Sequence, residues 1–327
     1  MPVIRKFSNR LLNKGGHTLI VGWSPLGLEV LRELTEANRN VRKPRIVILS
    51  TNSVEQVEKD LAALSIGRQR FQIHQVAKAE VKNRAKELAA NARSIVDLQK
   101  SQSKLIKQIE ERCANNPLLT SAVDELLSFV GEEIYFRELP ALTGKTFADA
   151  VLAFNTAAVF GLVINGTAQI NPSPKTLLPS GSKVIALAED DDKVVYTGIR
   201  EDALVKLNLK PKRSALKEII IPSVSKPQFN NLKAKLLAQF SENPELESVY
   251  SELFTQSANT IFIAPITALT TLGQSLDFAE FAVAAISRGY SAIGYVKAEG
   301  AQVILNPAKT QVFTANQGDG LVVIGSL

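Results

Sequence analysis

The chain has 327 residues, room for about two or three compact units, and 45% hydrophobic with 21% charged residues supports a buried core and argues against disorder. Its formal net charge of +6 is spread along the chain without aromatic–basic interleaving, which excludes a nucleic-acid-binding stripe. A lone cysteine, Cys113, and two histidines, His17 and His74, leave no disulfide, no cysteine zinc site and no histidine-rich metal site.

The first residues, MPVIRKFSNRLLNKGG, lack the continuous apolar core of a secretory signal. Ile4, Phe7 and Leu11, with Arg5, Lys6, Arg10 and Lys14 between them, predict a short amphipathic helix packed on its own domain rather than on a membrane surface. From His17 onward strands and helices alternate. HTLIVG is a strand, and the helix from Leu26 to Asn38 places Leu26, Val30, Leu31 and Leu34 on one face. RIVILS (45–50) is a second strand, and Ser53 with Gln56 three residues on caps a second helix over 53–64. RFQIHQV (70–76) is a third strand, KAEVKNRAKELAANA a third helix and RSIVDL (93–98) a fourth strand. Short connections in this order predict a parallel α/β sheet, smaller than the roughly six-stranded doubly wound domain.

The pattern then changes. Lys100–Cys113 is a charged helix with Leu105, Ile106 and Ile109 as its apolar side, and a second helix follows Pro117. The most apolar window, Val151–Ile164, carries Asn155 and Thr156 and falls short of the ~20 apolar residues that cross a bilayer. The chain is therefore expected in the cytoplasm or an organelle stroma, at most peripheral to a membrane, with no transmembrane segment of its own.

The second half contains a duplication. VDELLSFVGEEIYF (123–136) matches VYSELFTQSANTIFI (249–263), with Leu126 on Leu253 and Ile134 on Ile261. AAVFGLVINGTAQINP (157–172) matches SAIGYVKAEGAQVILNP (291–307), with Asn171-Pro172 on Asn306-Pro307. Lys175-Thr176 and Lys309-Thr310 follow, and KVIALA (183–188) and GLVVIG (320–325) close the copies. Each copy predicts a small α+β module, and two copies make a pseudo-symmetric pair rather than a solenoid, which needs about three repeats. Glu201–Asn243, with its basic stretch Lys206–Lys217 and the helix NNLKAKLLAQF, is expected to be a structured linker.

The candidate binding site is the first turn, Gly22-Trp23-Ser24-Pro25-Leu26-Gly27, together with Ser50-Thr51 at the end of the second strand. The layout follows the dinucleotide fingerprint G-x-G-x-x-G, which brings a pyrophosphate to a helix N-terminus. Ser24 replaces the second glycine, Pro25 has no N–H, and Ser50-Thr51-Asn52 stands where an acidic residue grips the ribose. Gly22, Trp23, Ser24, Gly27, Ser50 and Thr51 are thus the candidate residues for NAD or an adenine nucleotide, in a turn that fits a purely structural role better. The acidic run Glu189–Asp192 lacks the glycine and spaced ligands of a calcium loop and reads as a solvated loop. No catalytic set is present: Cys113 lies beside Glu110 and Glu111, and Gly144-Lys145-Thr146 lacks the upstream glycine of a phosphate loop, so Thr146 is expected to start a helix. The chain is expected not to be an enzyme. An oxidoreductase would need a catalytic residue that the duplicated segment does not offer.

GHTLIVGWSPLGLEVLRELTEAN resembles the first strand, turn and helix of the cytosolic region of CASTOR/POLLUX/SYM-type ion channels, part of the wider group of regulator-of-K⁺-conductance (RCK) domains. GEEIYFRELPALTGKTFADAVLAF and INPSPKTLLPSGSKVIALAEDDD, within Gly131–Asp192, are similar to that family's TrkA-like RCK C-terminal lobe. The resemblance covers Lys14 to about Asp192, and Glu247–Leu327 fits the same lobe more loosely. It implies a reduced, Rossmann-like RCK N-lobe over 1–116, a first C-terminal lobe over 117–200, a linker over 201–246 and a second C-terminal lobe over 247–327, without the pore. It further implies a regulatory or assembly protein of ion (potassium) transport that forms a homo-oligomer or joins a membrane channel or larger complex. The alternative is a non-catalytic accessory subunit that kept the fold and lost nucleotide binding.

Overall fold

The computed structural model describes residues 15–42, 44–64, 69–114, 116–207, 218, 229, 231–255 and 259–326. The expected N-terminal amphipathic helix and nearly all of the basic stretch before Lys217 lie outside the described residues. The chain divides into two units, Met1–Ile106 with Asn230–Leu246, and Lys107–Phe229 with Glu247–Leu327.

In the first unit, β1 (His17–Val21), β2 (Arg45–Ser50), β3 (Arg70–Gln75) and β4 (Ala92–Asp97) form a parallel sheet in the order β3-β2-β1-β4. The strands are continuous apolar runs because helices cover both faces. Leu19, Val47 and Leu49 pack with Leu88 of α3 (Val81–Ala89). By alternation Ile20, Ile46 and Ile48 point to the other face, and all three are buried. α1 (Pro25–Ala37) buries Val30, Leu31 and Leu34 of the predicted stripe, while Leu26, in its first turn, is half-buried. α2 (Val54–Ala62) starts where its cap was read, with the Ser53 hydroxyl accepting the Gln56 N–H.

Two sequence expectations change here. α4 (Ser103–Cys113), expected within a 1–116 domain, runs across the division at Ile106. Part of the expected linker is a helix, numbered α8 below (Leu232–Glu242), that belongs to the first unit, is buried at nearly every position and packs on α1 and β4. Its Glu242 carboxylate accepts from Arg93 Nη2 at 3.0 Å and Ser94 Oγ at 3.5 Å, and Arg93 also reaches Asn38 Oδ1 at 2.7 Å at the end of α1. A helix read as a connector by its place between the repeats therefore supplies part of the cover of the parallel sheet.

The second unit opens with α5 (Pro117–Leu126) and is built on two four-stranded antiparallel sheets. One joins β5 (Glu133–Glu138), β8 (Lys183–Ala188), β6 (Ala158–Ile164) and β7 (Thr167–Ile170) in that spatial order. The other joins β9 (Thr260–Pro265), β14 (Gly320–Gly325), β11 (Ser291–Lys297) and β12 (Gln302–Leu305) in the corresponding order. Ile134 faces Leu187 as Ile261 faces Ile324, and α6 (Phe147–Val151) and α10 (Phe278–Ser287) take equivalent places. Both of these helices begin with a capping box, Thr146 with Asp149 and Asp277 with Glu280. α7 (Glu201–Leu204) follows the first sheet, α9 (Leu246–Leu253) precedes the second, and β10 (Ser275–Asp277) pairs with β13 (Val312–Thr314). One apolar cluster contains Phe154, Leu162 and Ala186 from one half and Phe262, Phe281, Tyr295 and Leu321 from the other.

The halves are joined by a reciprocal pair of bonds. Asn171 and Asn306 both adopt positive φ, 46° and 42°. Asn171 Nδ2 donates to the Gly289 carbonyl at 2.8 Å and to Asn259 Oδ1 at 3.3 Å. Asn306 Nδ2 donates to the Thr156 carbonyl at 3.0 Å and to Glu132 Oε2 at 2.8 Å. The symmetry is broken nearby. The Ser291 hydroxyl donates to Asn171 Oδ1 at 2.8 Å, but the matching strand position is Ala158, and Asn306 Oδ1 is buried without a partner. The backbone also corrects the Lys-Thr pairing of the repeat by one residue. Ala148 N–H bonds the Pro174 carbonyl as Ala279 N–H bonds that of Lys309, so Lys309 matches Pro174. Lys309 is 1% exposed, its Nζ lies 4.7 Å over the Phe278 ring, and its own N–H holds the Asn155 carbonyl at 3.0 Å.

Each sheet has a kink at a glycine, Gly161 and Gly294, where a Cβ would stand 2.9 Å from the Gln169 carbonyl oxygen and 2.7 Å from that of Ile304. Gly294→Ala is expected to lower stability by about 1–3 kcal/mol through this overpacking, read as a lower urea midpoint with unchanged m-value. A second prediction concerns pH. Burial lifts the Glu132 carboxyl from 4.5 to about 7, against the Asn306 bond and with help from Glu125 and Glu189, so its folded state holds a proton that the unfolded chain has lost. Stability should fall as pH rises from 4.5 to about 7. Burial lowers the Lys309 ammonium from 10.5 to about 7, so stability should rise from pH 7 toward 10.5 as the unfolded chain loses its proton too. Urea melts across this range should show Glu132→Gln flattening the acid limb and Lys309→Met the alkaline one.

Candidate functional site at the first strand turn

The first turn is fixed by its own backbone. Gly22 has φ +92°, a conformation open to glycine, and its N–H donates to the Leu49 carbonyl at 2.8 Å. Ser24 is extended (φ −167°, ψ 176°) at the N-cap of α1, and its hydroxyl makes no capping bond. Pro25 opens the helix with its preset φ and no N–H. The Gly27 N–H turns back to the Ser24 carbonyl at 2.8 Å. Two of the donors that an anion would use at a helix N-terminus are thus missing or engaged.

The side chains fill the rest. The β3-β2-β1-β4 order reverses between β1 and β4, and ligands of open parallel sheets bind outside the strand ends at such a switch point. There the Leu98 N–H bonds the Val21 carbonyl at 3.1 Å, and Leu98 packs beside Gly22. A Cβ on Gly27 would meet the Trp23 ring at 3.0 and 3.1 Å and Leu98 Cδ1 at 3.2 Å, so this glycine serves packing of the indole. Trp23 Nε1 donates to Asp60 Oδ2 at 2.9 Å on α2, and Gln56 Nε2 holds the other oxygen of Asp60 at 2.7 Å. The indole therefore reaches from the turn after β1 to the helix after β2.

The structure brings five of the six predicted residues to this end of the sheet as a turn and its packing, and places Thr51 exposed beside them. Ser50 is 1% exposed and its Oγ accepts from the Asn52 N–H at 2.9 Å, so it braces its own loop. Asp60, the carboxylate that meets the turn, lies ten residues past Ser50 and holds an indole. Sequence reading missed it because it sits late in α2 rather than at the strand end; its spacing from Gln56, one helical turn, was the available signal.

The remaining titratable candidates are structural. Cys113 is buried, and desolvation pushes its thiol up to about 12, with Arg112 opposing. His17 bonds the Leu88 carbonyl at 3.1 Å through Nε2, and burial lowers its pKa; burial and then Arg84 lower that of His74. Thr146 caps α6 as expected. Among the described residues no group of three His, Cys, Asp or Glu side chains could hold a metal, and no helix is long and apolar enough to cross a membrane.

The family described as "Castor and Pollux, part of voltage-gated ion channel" matches residues 103–212. The probable ion channel POLLUX of Arabidopsis thaliana is 23% identical over 249 residues, 58% of this chain and 30% of that protein. The ion channel CASTOR of Lotus japonicus is 31% identical over 91 residues, 27% of this chain and 11% of that protein. The chain thus spans under a third of the length of these relatives. In fold it is similar to the human SLO3 gating ring, with a TM-score of 0.56 at 9% identity over 94% of this chain and 99% of that one. The matched segment holds α4 to α7 and the whole first antiparallel sheet, and over it the chain is similar to the CASTOR/POLLUX-type ion-channel family.

Proposed function

We propose that this chain is an RCK-like regulatory region of a CASTOR/POLLUX-type channel assembly, that its two antiparallel halves are RCK C-terminal lobes, and that it acts by oligomerising rather than by catalysis. The observation that carries the reading is the coincidence of the family match over 103–212 with a gating-ring fold over 94% of the chain. The first unit then serves as a reduced N-lobe, and the second presents the paired lobes. In this reading the chain regulates ion flow by biasing a channel to which it belongs or binds.

A specific observation favours the accessory form of this reading for the first turn. Trp23 and Leu98 occupy the switch point, Pro25 and Gly27 remove N–H donors, and no acid stands at Ser50-Thr51. The turn is accordingly proposed as a packing element that holds α1 to α2, with nucleotide binding lost.

Two measurements test these proposals separately. Light scattering across micromolar concentrations should give a mass above that of one chain; a monodisperse monomer throughout would overturn the oligomeric mode of action. Thermal unfolding with millimolar NAD⁺, NADH, ATP or ADP should give no shift, because a ligand of the folded state raises the midpoint. A rise abolished by Ser24→Trp would restore the turn as a nucleotide site.

A further inference from the structure

Two loops of the second unit are longer in its second half than in its first, and both border one cavity. In the first half β6 and β7 are joined by Asn165-Gly166; in the second, β11 and β12 are joined by four residues, Ala298–Ala301. Leu177 and Ser182 bound the last loop of the first half; their counterparts Val312 and Asp319 bound a loop longer by two residues, Thr314-Ala315, ahead of a matching turn in which the Asp319 N–H bonds the Asn316 carbonyl as the Ser182 N–H bonds that of Pro179. Asp319 ties the two enlarged loops together. It is 3% exposed, Oδ1 accepts the Ala298 N–H at 2.9 Å, and Oδ2 accepts the Tyr295 hydroxyl at 2.8 Å and the Asn316 N–H at 3.1 Å.

The cavity they enclose has a volume of about 330 Å³, at the small end of the range for small-molecule sites. Its base is the buried Tyr295–Phe313 stack, centroids 4.2 Å apart and 6° from parallel. Val312, 62% exposed, offers an aliphatic wall. Lys297, with Nζ 5.9 Å over the Phe313 ring, and Glu299 stand exposed on the rim with opposite charges, and neither joins an ion pair among the described residues. Gln317 and the Asn316 amide add neutral hydrogen-bonding groups, Asn316 Nδ2 being held by the Thr314 carbonyl at 3.0 Å. In the first half Leu162, Ile164, Leu177 and Leu178 stand at the places of Tyr295, Lys297, Val312 and Phe313, and Pro179, Ser180 and Ser182 at those of Asn316, Gln317 and Asp319, so the charged groups have no counterpart there.

We propose that this cavity binds a free zwitterionic amino acid, its carboxylate on Lys297, its ammonium on Glu299 and its side chain against Val312. A rim with one cation and one anion selects a ligand carrying both charges over a simple anion or amine, and the aliphatic wall gives the side chain a place out of water. The proposal stands apart from the oligomeric and nucleotide readings above, since it uses none of their residues.

The test is isothermal titration and thermal unfolding of the full chain with each common amino acid. At least one should bind saturably and raise the melting midpoint. Lys297→Met and Glu299→Gln should each weaken that binding about tenfold, the loss of one charge-assisted contact, with circular dichroism unchanged. Leu177→Ser, at the matching site of the first half, should leave it intact. No binding by any amino acid, binding indifferent to both rim substitutions, or equal binding of acetate or methylamine alone would overturn the proposal.

Discussion

The second unit depends on two asparagines in a left-handed conformation. Asn171 and Asn306 each end a hairpin strand, and each sends its side-chain amide across to the other half, to the carbonyls of Gly289 and Thr156. Asparagine is among the few non-glycine residues that adopt positive φ readily, and its short amide can reach a backbone carbonyl from there. Because each of those carbonyls lies just before the central strand of the opposite sheet, the two bonds fix how the sheets meet. Phe154 and Leu162 from one half then share a core with Phe281 and Tyr295 from the other. Neither sheet has a full cover of its own, and the small helix α6 is too short to provide one. The two halves therefore share a single core.

The first unit follows a different constraint. Its parallel sheet keeps the strand–turn–helix backbone of a dinucleotide fold, down to the positive φ of Gly22. What changed is the side chains around the turn. In a nucleotide site the third glycine allows close helix–strand packing; here Gly27 admits an indole ring. Trp23 in turn is held by Asp60, whose other oxygen is held by Gln56. Trp23, Asp60 and Gln56 are thus committed to each other, and the network ties the turn after β1 to α2.

Much of this was legible in the sequence. The strands RIVILS and RFQIHQ, the Ser53 cap and the Thr146 helix start follow from periodicity and cap chemistry, which are local. The repeat was legible from Ile134 and Ile261 and from the two Asn-Pro pairs. What failed was non-local. The place of Leu232–Glu242 on β4 could not be read because its apolar residues run around the helix rather than along one stripe, and no pattern names the sheet they cover. The Lys-Thr match slipped by one residue because identity of letters outweighed the backbone bonds that align Lys309 with Pro174. The bond from Trp23 to Asp60 was invisible for the same reason, with 37 residues between donor and acceptor.

The same scaffold, repeated, has diverged where its backbone allowed. The sheets could not drift far, because Gly161 and Gly294 each sit where a single Cβ would strike a neighbouring carbonyl. The turns could. Proline at 174 has no N–H to offer, whereas Lys309 in the matching place bonds Asn155 and buries an amine against Phe278. Ser182 is matched by Asp319, a buried carboxylate that is tolerated because three donors surround it. A buried carboxylate of this kind is costly unless its partners are fixed, and its partners are N–H groups of the two longer loops and the hydroxyl of Tyr295. The carboxylate and the loops therefore support one another, with the Tyr295 hydroxyl of β11 as the third donor. At the matching edge of the first half, Ser182 stands in the place of the carboxylate and Ile164 in that of Lys297.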